Sequence, residues 1–174
     1  MTITTPTAQN PNSADVLQAP PPLLPSPWYT EARQKLQDEA REFAQNEVLP
    51  IANELDPHKG EMPYSLIDRL GELGYFGITI PKDHGGLGLG VFEYCMVAEE
   101  LARAWMSVGS ILARAQGLGT NVADPERRQR LLRLSAEGKW VGAVGYSEPQ
   151  AGSDLANVQT TAVRDGDSWV INGT

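Results

Sequence analysis

Tyr146-Ser147-Glu148-Pro149-Gln150-Ala151-Gly152-Ser153-Asp154 separates two kinds of structure in this chain. Before it stands the apolar run Trp140-Val141-Gly142-Ala143-Val144-Gly145, which predicts a buried strand. After it come two β-rich segments joined by Arg164-Asp165-Gly166-Asp167. A strand would then deliver its end into a loop of small and polar residues. Such a loop can lay backbone N–H groups and hydroxyls along a flat ligand. Pro149 removes one donor and fixes the turn. Gly152 is expected to allow close backbone approach or a positive φ.

Towards the N-terminus the pattern is helical. Thr30 is a predicted N-cap with Glu31 in the first turn. Leu36, Ala40, Phe43, Ala44 and Val48 follow at helical spacing, until Pro50 bends or ends the helix. A second helix spans Ser65 to Leu73, with Leu66, Ile67, Leu70 and Leu73 inward and Gly74 stopping it. Phe76 to Ile80 is a brief apolar segment. The glycine-rich turn Asp83-His84-Gly85-Gly86-Leu87-Gly88-Leu89-Gly90 lacks both nucleotide-phosphate signatures, since Val91 breaks one and no Gly-Lys-Ser/Thr is present. It reads as a tight packing turn, with His84 structural and His58 a solvated loop residue. Val91, Tyr94, Cys95, Ala98, Leu101, Ala102 and Trp105 are the expected buried face of a long helical region, with a break at Ser107 to Gly109. Pro125 opens the last helix, with Leu131, Leu132 and Leu134 inward. The expected organisation is an arm over residues 1–27, a helical domain over 28–138 and the start of a β domain over 139–174. The arm carries seven of the 13 prolines and no lysine or arginine, which predicts a disordered or polyproline-like segment.

Composition excludes several classes. A net charge of −8 argues against nucleic-acid binding, which needs a basic face. The single Cys95 excludes an internal disulfide or a cysteine metal cluster. No apolar run approaches the roughly 20 residues of a membrane span. No positive charge precedes Arg33, and the start is rich in proline and contains an acidic residue. A secretory signal or a mitochondrial transit peptide is therefore not expected, and the bacterial cytoplasm is.

Hydrolase and metal chemistry fit poorly. Gly145-Tyr146-Ser147-Glu148-Pro149 has proline where a nucleophile elbow needs glycine. The two histidines are far apart, and no carboxylates stand at ligand spacing. Glu148 and Asp154 admit acid–base work, but turn and cap hydrogen bonds are the stronger reading. The donor-rich loop suits an isoalloxazine edge, where N–H and hydroxyl donors favour the reduced ring.

Three blocks carry a resemblance. Ser147-Glu148-Pro149-Gln150-Ala151-Gly152-Ser153-Asp154 resembles the acyl-CoA dehydrogenase motif Thr/Ser-Glu-Pro-x-Ala-Gly-Ser-Asp. Leu73 to Gly90 is similar to the family's helix-to-turn segment. Thr160 to Asp167, leading to Asn172-Gly173-Thr174, is similar to its first β-hairpin. The resemblance covers roughly residues 28–174. It implies an α+β fold in which an N-terminal all-α helical domain is followed by the first strands of a β-barrel-like middle domain. It also implies FAD as cofactor and fatty acid metabolism as the setting. Tyr146, Ser147, Gly152 and Ser153 become cofactor contacts, with Ser153 also a substrate contact. Val108, Gly109 and Ser110 match the region lining the acyl pocket in relatives, although a helix break explains small residues there equally well.

The family reaction is α,β-dehydrogenation of an acyl-CoA thioester. A carboxylate removes the α-proton and the flavin takes the β-hydride. In the family that base lies past the position of Thr174, so the resemblance assigns no catalytic residue here. Trp169 is not the flavin-packing tryptophan of relatives, since it falls in the preceding strand. The chain is expected to be the front part of such an enzyme, inactive alone and weak in FAD binding. An electron-transferring flavoprotein and further copies of the chain are the implied partners. An acyl-CoA oxidase or flavin-dependent monooxygenase of the same architecture, or a non-catalytic interaction module, remain alternatives.

Overall fold

The computed structural model describes residues 27–174, so residues 1–26 of the expected Pro-rich arm lie outside the described residues. The chain divides into two compact units, Met1–Gly142 and Ala143–Thr174.

Helix α1 (Glu31–Phe43) begins at Thr30, whose Oγ1 accepts from the Arg33 N–H at 3.3 Å. This satisfies one of the orphan donors of the first turn. Ala40, Phe43, Ala44 and Val48 are buried as their spacing requires. Gln37 is buried with them because its side-chain amide donates to Glu100 Oε1 at 3.0 Å. Pro50 does not end the helical path. Ala44–Val48 form a π turn, in which the Leu49 N–H reaches back to the Ala44 carbonyl. Helix α2 (Leu49–Leu55) then carries Pro50 in its first turn. A proline ring clashes with the carbonyl four residues back in regular α geometry and offers it no N–H; the wider turn just before Pro50 absorbs both.

Helix α3 (Tyr64–Glu72) buries Leu66 and Leu70 and is stopped by Gly74 at φ 73°. The apolar segment beyond it is a buried 3₁₀ turn, Tyr75–Gly77, with Phe76 and Ile78 fully enclosed. Gln116 ties this segment down: its side-chain amide donates to the Tyr75 carbonyl at 2.7 Å, and its oxygen accepts from the Thr79 N–H at 3.1 Å. The glycine-rich turn uses its amides on its own backbone. Leu87 N–H donates to Gly77 O at 2.9 Å, Gly88 N–H to Ile80 O at 2.9 Å and Leu89 N–H to Ile78 O at 2.8 Å. A Cβ at Gly86 would collide with the Ile80 carbonyl. The glycines thus serve close packing.

Helices α4 (Val91–Ala104) and α5 (Met106–Ala115) are separated at Trp105, which is extended at φ −155° and ψ 113°. The break falls two residues before the expected Ser107. Trp105 sets it, because its buried ring donates from Nε1 to Asp56 Oδ1 at 2.8 Å. Gly109 instead lies within α5, where a Cβ would sit 3.0 Å from the Ala102 side chain, so the two helices pack closely there. The expected face of α4 is also corrected. Val91 and Cys95 are exposed, whereas Met96, Val97, Glu100 and Ala104 are buried beside Leu101. The buried face is turned because Glu100 is drawn inward by Arg41, at 2.8 Å, and by Arg103, at 3.1 Å. An apolar-periodicity argument counts such a residue as outward-facing.

Helix α6 (Pro125–Ala136) is capped by Asp124, whose carboxylate accepts from Glu126 N–H at 2.9 Å and Arg127 N–H at 3.0 Å. Leu131 is buried, while Leu132 and Leu134 are half-buried. The Ser135 hydroxyl donates to the Ala115 carbonyl, which fastens α6 to the end of α5.

In the second unit, β1 (Thr161–Asp165) and β2 (Ser168–Asn172) pair antiparallel, with Asp165 opposite Ser168 and Arg164 opposite Trp169. The two-residue connection Gly166–Asp167 needs positive φ at its first position, and Gly166 supplies 58°. The run Trp140 to Gly145 does not form the expected buried strand. It is unpaired, and Ala143 to Tyr146 are exposed. A strand exists only through its neighbours' hydrogen bonds, and among the described residues none runs beside it. The order is therefore a mostly helical domain followed by a small antiparallel sheet, the expected α+β arrangement. Among the described residues no helix is long and apolar enough to cross a membrane.

Candidate functional site

The four residues singled out in the sequence, Tyr146, Ser147, Gly152 and Ser153, stand on one exposed loop of the second unit. A tight turn organises that loop. Glu148 N–H donates to Ala151 O at 2.8 Å, and Ala151 N–H returns a bond to Glu148 O at 3.0 Å. Pro149 and Gln150 occupy the tip, where no further ladder donor is needed. The Gln150 carbonyl accepts from the Asn157 side chain at 3.0 Å. Asp154 then opens a short 3₁₀ turn, Leu155–Asn157, its carbonyl accepting from Asn157 N–H at 3.2 Å.

Gly152 departs from its expectation. Its φ is not positive, and a Cβ built on it meets nothing within 4 Å. No part of the described chain crowds it.

The hydrogen-bond inventory divides the loop cleanly. The hydroxyls of Ser147 and Ser153, and the amides of Ser147, Gly152 and Ser153, donate to no described group. Glu148 is the opposite case. Its carboxylate accepts from Gln159 N–H at 2.8 Å, Thr160 N–H at 2.9 Å, the Thr160 hydroxyl and the Gln150 amide. The Thr160 hydroxyl and then the Gln159 N–H hold the Glu148 carboxyl below the usual carboxylate range. Of the two readings of Glu148, turn hydrogen bonding is the one this geometry supports. Asp154 is exposed and caps nothing with its side chain. The role of Glu148 as a hub left no local signal in the sequence, because its partners lie 11 and 12 residues onward.

A flat ligand edge rich in acceptors fits this donor set. An isoalloxazine ring has such an edge, and the free donors of Ser147, Gly152 and Ser153 could serve it without breaking an internal bond. Val108, Gly109 and Ser110 belong to the first unit. Val108 is enclosed in the core, Gly109 is taken up by helix contact, and Ser110 receives the Arg114 guanidinium on its carbonyl at 2.8 Å. A separate groove of about 520 Å³ lies on that unit, lined by Ala32, Arg33, Leu36, Leu89 and Glu93 among others. It offers no spare cation from Arg33, which pairs with Glu93 at 2.6 Å and lies 4.5 Å from the Phe92 ring centre. That pairing with Arg33 holds the Glu93 carboxyl low.

Residues 30–139 match the family model of the acyl-CoA dehydrogenase N-terminal domain. The probable acyl-CoA dehydrogenase YngJ of Bacillus subtilis is 36% identical over 148 residues, covering 83% of this chain and 39% of that protein. The short-chain specific acyl-CoA dehydrogenase of Clostridium acetobutylicum is 36% identical over 149 residues, with the same two coverages. Among solved structures, a chain described with the electron transferring flavoprotein of Acidaminococcus fermentans superposes with a TM-score of 0.73. It is 37% identical, and the match covers 83% of this chain and 39% of that one. This chain therefore spans about two fifths of the length of the relatives it matches. It belongs to the acyl-CoA dehydrogenase family, and residues 30–139 are its N-terminal domain.

Proposed function

We propose that this chain is the front portion of an FAD-dependent enzyme that dehydrogenates an acyl-CoA thioester between its α and β carbons. The observation that carries this is the loop from Tyr146 to Ser153, which keeps two hydroxyls and three amides free while every acceptor position of Glu148 is used. Family membership supports the same reading.

Ser147 donates its hydroxyl to the acceptor edge of the cofactor, with its own amide beside it. Gly152 and Ser153 offer amides where cofactor and thioester meet, and the Ser153 hydroxyl is the substrate contact. Donors fixed in this way favour negative charge on the acceptor edge. When bound, FAD supplies the acceptor for the hydride leaving the β-carbon. Glu148 is not the base for the α-proton, because its oxygens already accept four donors. The part of this loop is therefore to bind and orient. An acyl-CoA thioester, an electron-transferring flavoprotein and further copies of the chain are the proposed partners, with the cytoplasm as the proposed setting. The structural neighbour described with an electron transferring flavoprotein supports the second of these partners.

The test is a backbone-amide NMR titration of the chain with FAD up to millimolar concentration. Saturating shifts at Tyr146, Ser147, Gly152 and Ser153 are expected, with Ser147→Ala weakening the apparent affinity several-fold, as loss of one hydrogen bond does. Amides at these positions that do not respond to FAD would overturn the reading for this chain.

A further inference from the structure

Glu148 does more than complete a turn. Its own N–H and C=O close the turn onto Ala151, at 2.8 and 3.0 Å. Its side chain ties that turn to the segment entering β1. Oε1 takes the Thr160 N–H at 2.9 Å and the Thr160 hydroxyl; Oε2 takes the Gln159 N–H at 2.8 Å and the Gln150 amide. A carboxylate has about four acceptor positions, and here each oxygen receives two donors. Glu148 thus joins two stretches of backbone whose other tie is the Asn157 side chain on the Gln150 carbonyl.

The free donors flank this residue. Ser147 precedes it, and Gly152 and Ser153 follow Ala151, its backbone partner. If Glu148 let go, the backbone bridge to Ala151 would remain. The turn would then be held to the segment before β1 by the Asn157–Gln150 bond alone, and its donors would lose their fixed spacing from β1. Donors aimed at a ligand lose affinity when they must be ordered on binding.

We propose that Glu148 is the positioning residue of the cofactor loop: by clamping Gln159 and Thr160 it holds the Ser147 and Gly152–Ser153 donors at a fixed spacing for the acceptor edge of a flavin. The role rests on the flavin-binding reading of the loop. It assigns the carboxylate to geometry and not to proton transfer, and it makes Thr160 a second positioning residue through its hydroxyl.

The experiment uses the full chain and three variants, Glu148→Gln, Thr160→Val and Thr160→Ser. NMR reads the amide protons of Gln159 and Thr160, which a charged acceptor moves downfield, together with their hydrogen-exchange protection. The same samples are titrated with FAD, and the helical circular dichroism reports whether the first unit is intact. The expected result is loss of the downfield amide signature in Glu148→Gln, with the FAD dissociation constant raised about tenfold, the size of one charge-assisted hydrogen bond. Thr160→Val weakens FAD in the same direction, while Thr160→Ser, which keeps the hydroxyl, binds as the parent does.

A parent chain without the amide signature overturns the clamp itself. An altered signature with unchanged FAD affinity overturns the positioning role and leaves the flavin reading standing. A parent chain with the signature but no response of residues 146–153 to FAD overturns the flavin reading, and this role with it. Should Glu148→Gln lose its hairpin signals altogether, the difference between Thr160→Val and Thr160→Ser decides, and equal affinities in those two overturn the proposal.

Discussion

Arg41 on α1 and Glu100 on α4 meet at 2.8 Å, and the Glu100 carboxylate is 1% exposed. The Gln37 amide and Arg103 complete its surroundings. Removing Arg41 leaves a buried carboxylate with fewer partners, and that loss costs more than the pair contributes. Arg41→Met is expected to destabilise the helical unit by about 3 kcal/mol, towards the lower end of the range for broken buried pairs because Gln37 and Arg103 remain. Urea unfolding followed by helical circular dichroism measures it. Adding Glu100→Leu should restore only part of the loss, since it removes the under-paired carboxylate but leaves the buried Gln37 amide without its acceptor.

The Trp105 indole, at the break between α4 and α5, donates to Asp56 just beyond α2 at 2.8 Å. Asp56→Ala leaves a buried N–H without an acceptor and should cost about 1–3 kcal/mol. Asp56→Asn keeps an oxygen in reach and should cost less. Thermal unfolding of both variants, with tryptophan emission at Trp105 as a local reporter, checks the order.

Tyr75 gives a pH prediction. Burial, then the Glu39 carboxylate, push its phenol up to about 12. An unfolded tyrosine ionises near pH ~10. The folded pKa is raised, so the associated stability is fully present below pH ~10 and is lost as pH rises towards about 12. Alkaline titration should show one phenolate absorbance step delayed to that range and coincident with loss of helical signal. A Tyr75→Phe variant should lack that step and resist alkali longer.

Gly86 sits where a Cβ would enter the Ile80 carbonyl. Gly86→Ala must displace backbone that also accepts from Gly88 N–H, so a cost of at least about 1–3 kcal/mol is expected. Because the turn serves packing, the same variant should leave FAD-induced shifts at residues 146–153 unchanged at temperatures where it stays folded.

Signals that act within a few residues were legible in the sequence. Thr30 and Pro125 announce helix starts and Gly74 a stop, because these signals act inside one turn. The stretch from Tyr146 to Asp154 was legible as a loop for the same reason, being contiguous. The break between α4 and α5 was legible, but its position at Trp105 was not, since the partner that sets it lies 49 residues away at Asp56. The burial of Glu100 and Gln37 was not legible either, because the partners of Glu100 on α1, Gln37 and Arg41, lie 63 and 59 positions away. Trp140 to Gly145 has the composition of a strand, but composition supplies no partner strand.

The π turn at Ala44–Val48 has an evolutionary consequence. Such a turn is the footprint of one extra residue in an otherwise regular helix. Deleting Asn46 would close that turn to regular α geometry and keep the downstream helix in register, because the wide turn already absorbs the extra residue. It would, however, set the Pro50 ring against the carbonyl four residues before it, with no wider turn to take up the clash. The extra residue and Pro50 are therefore coupled, and a relative that lacks the one is expected to lack the other.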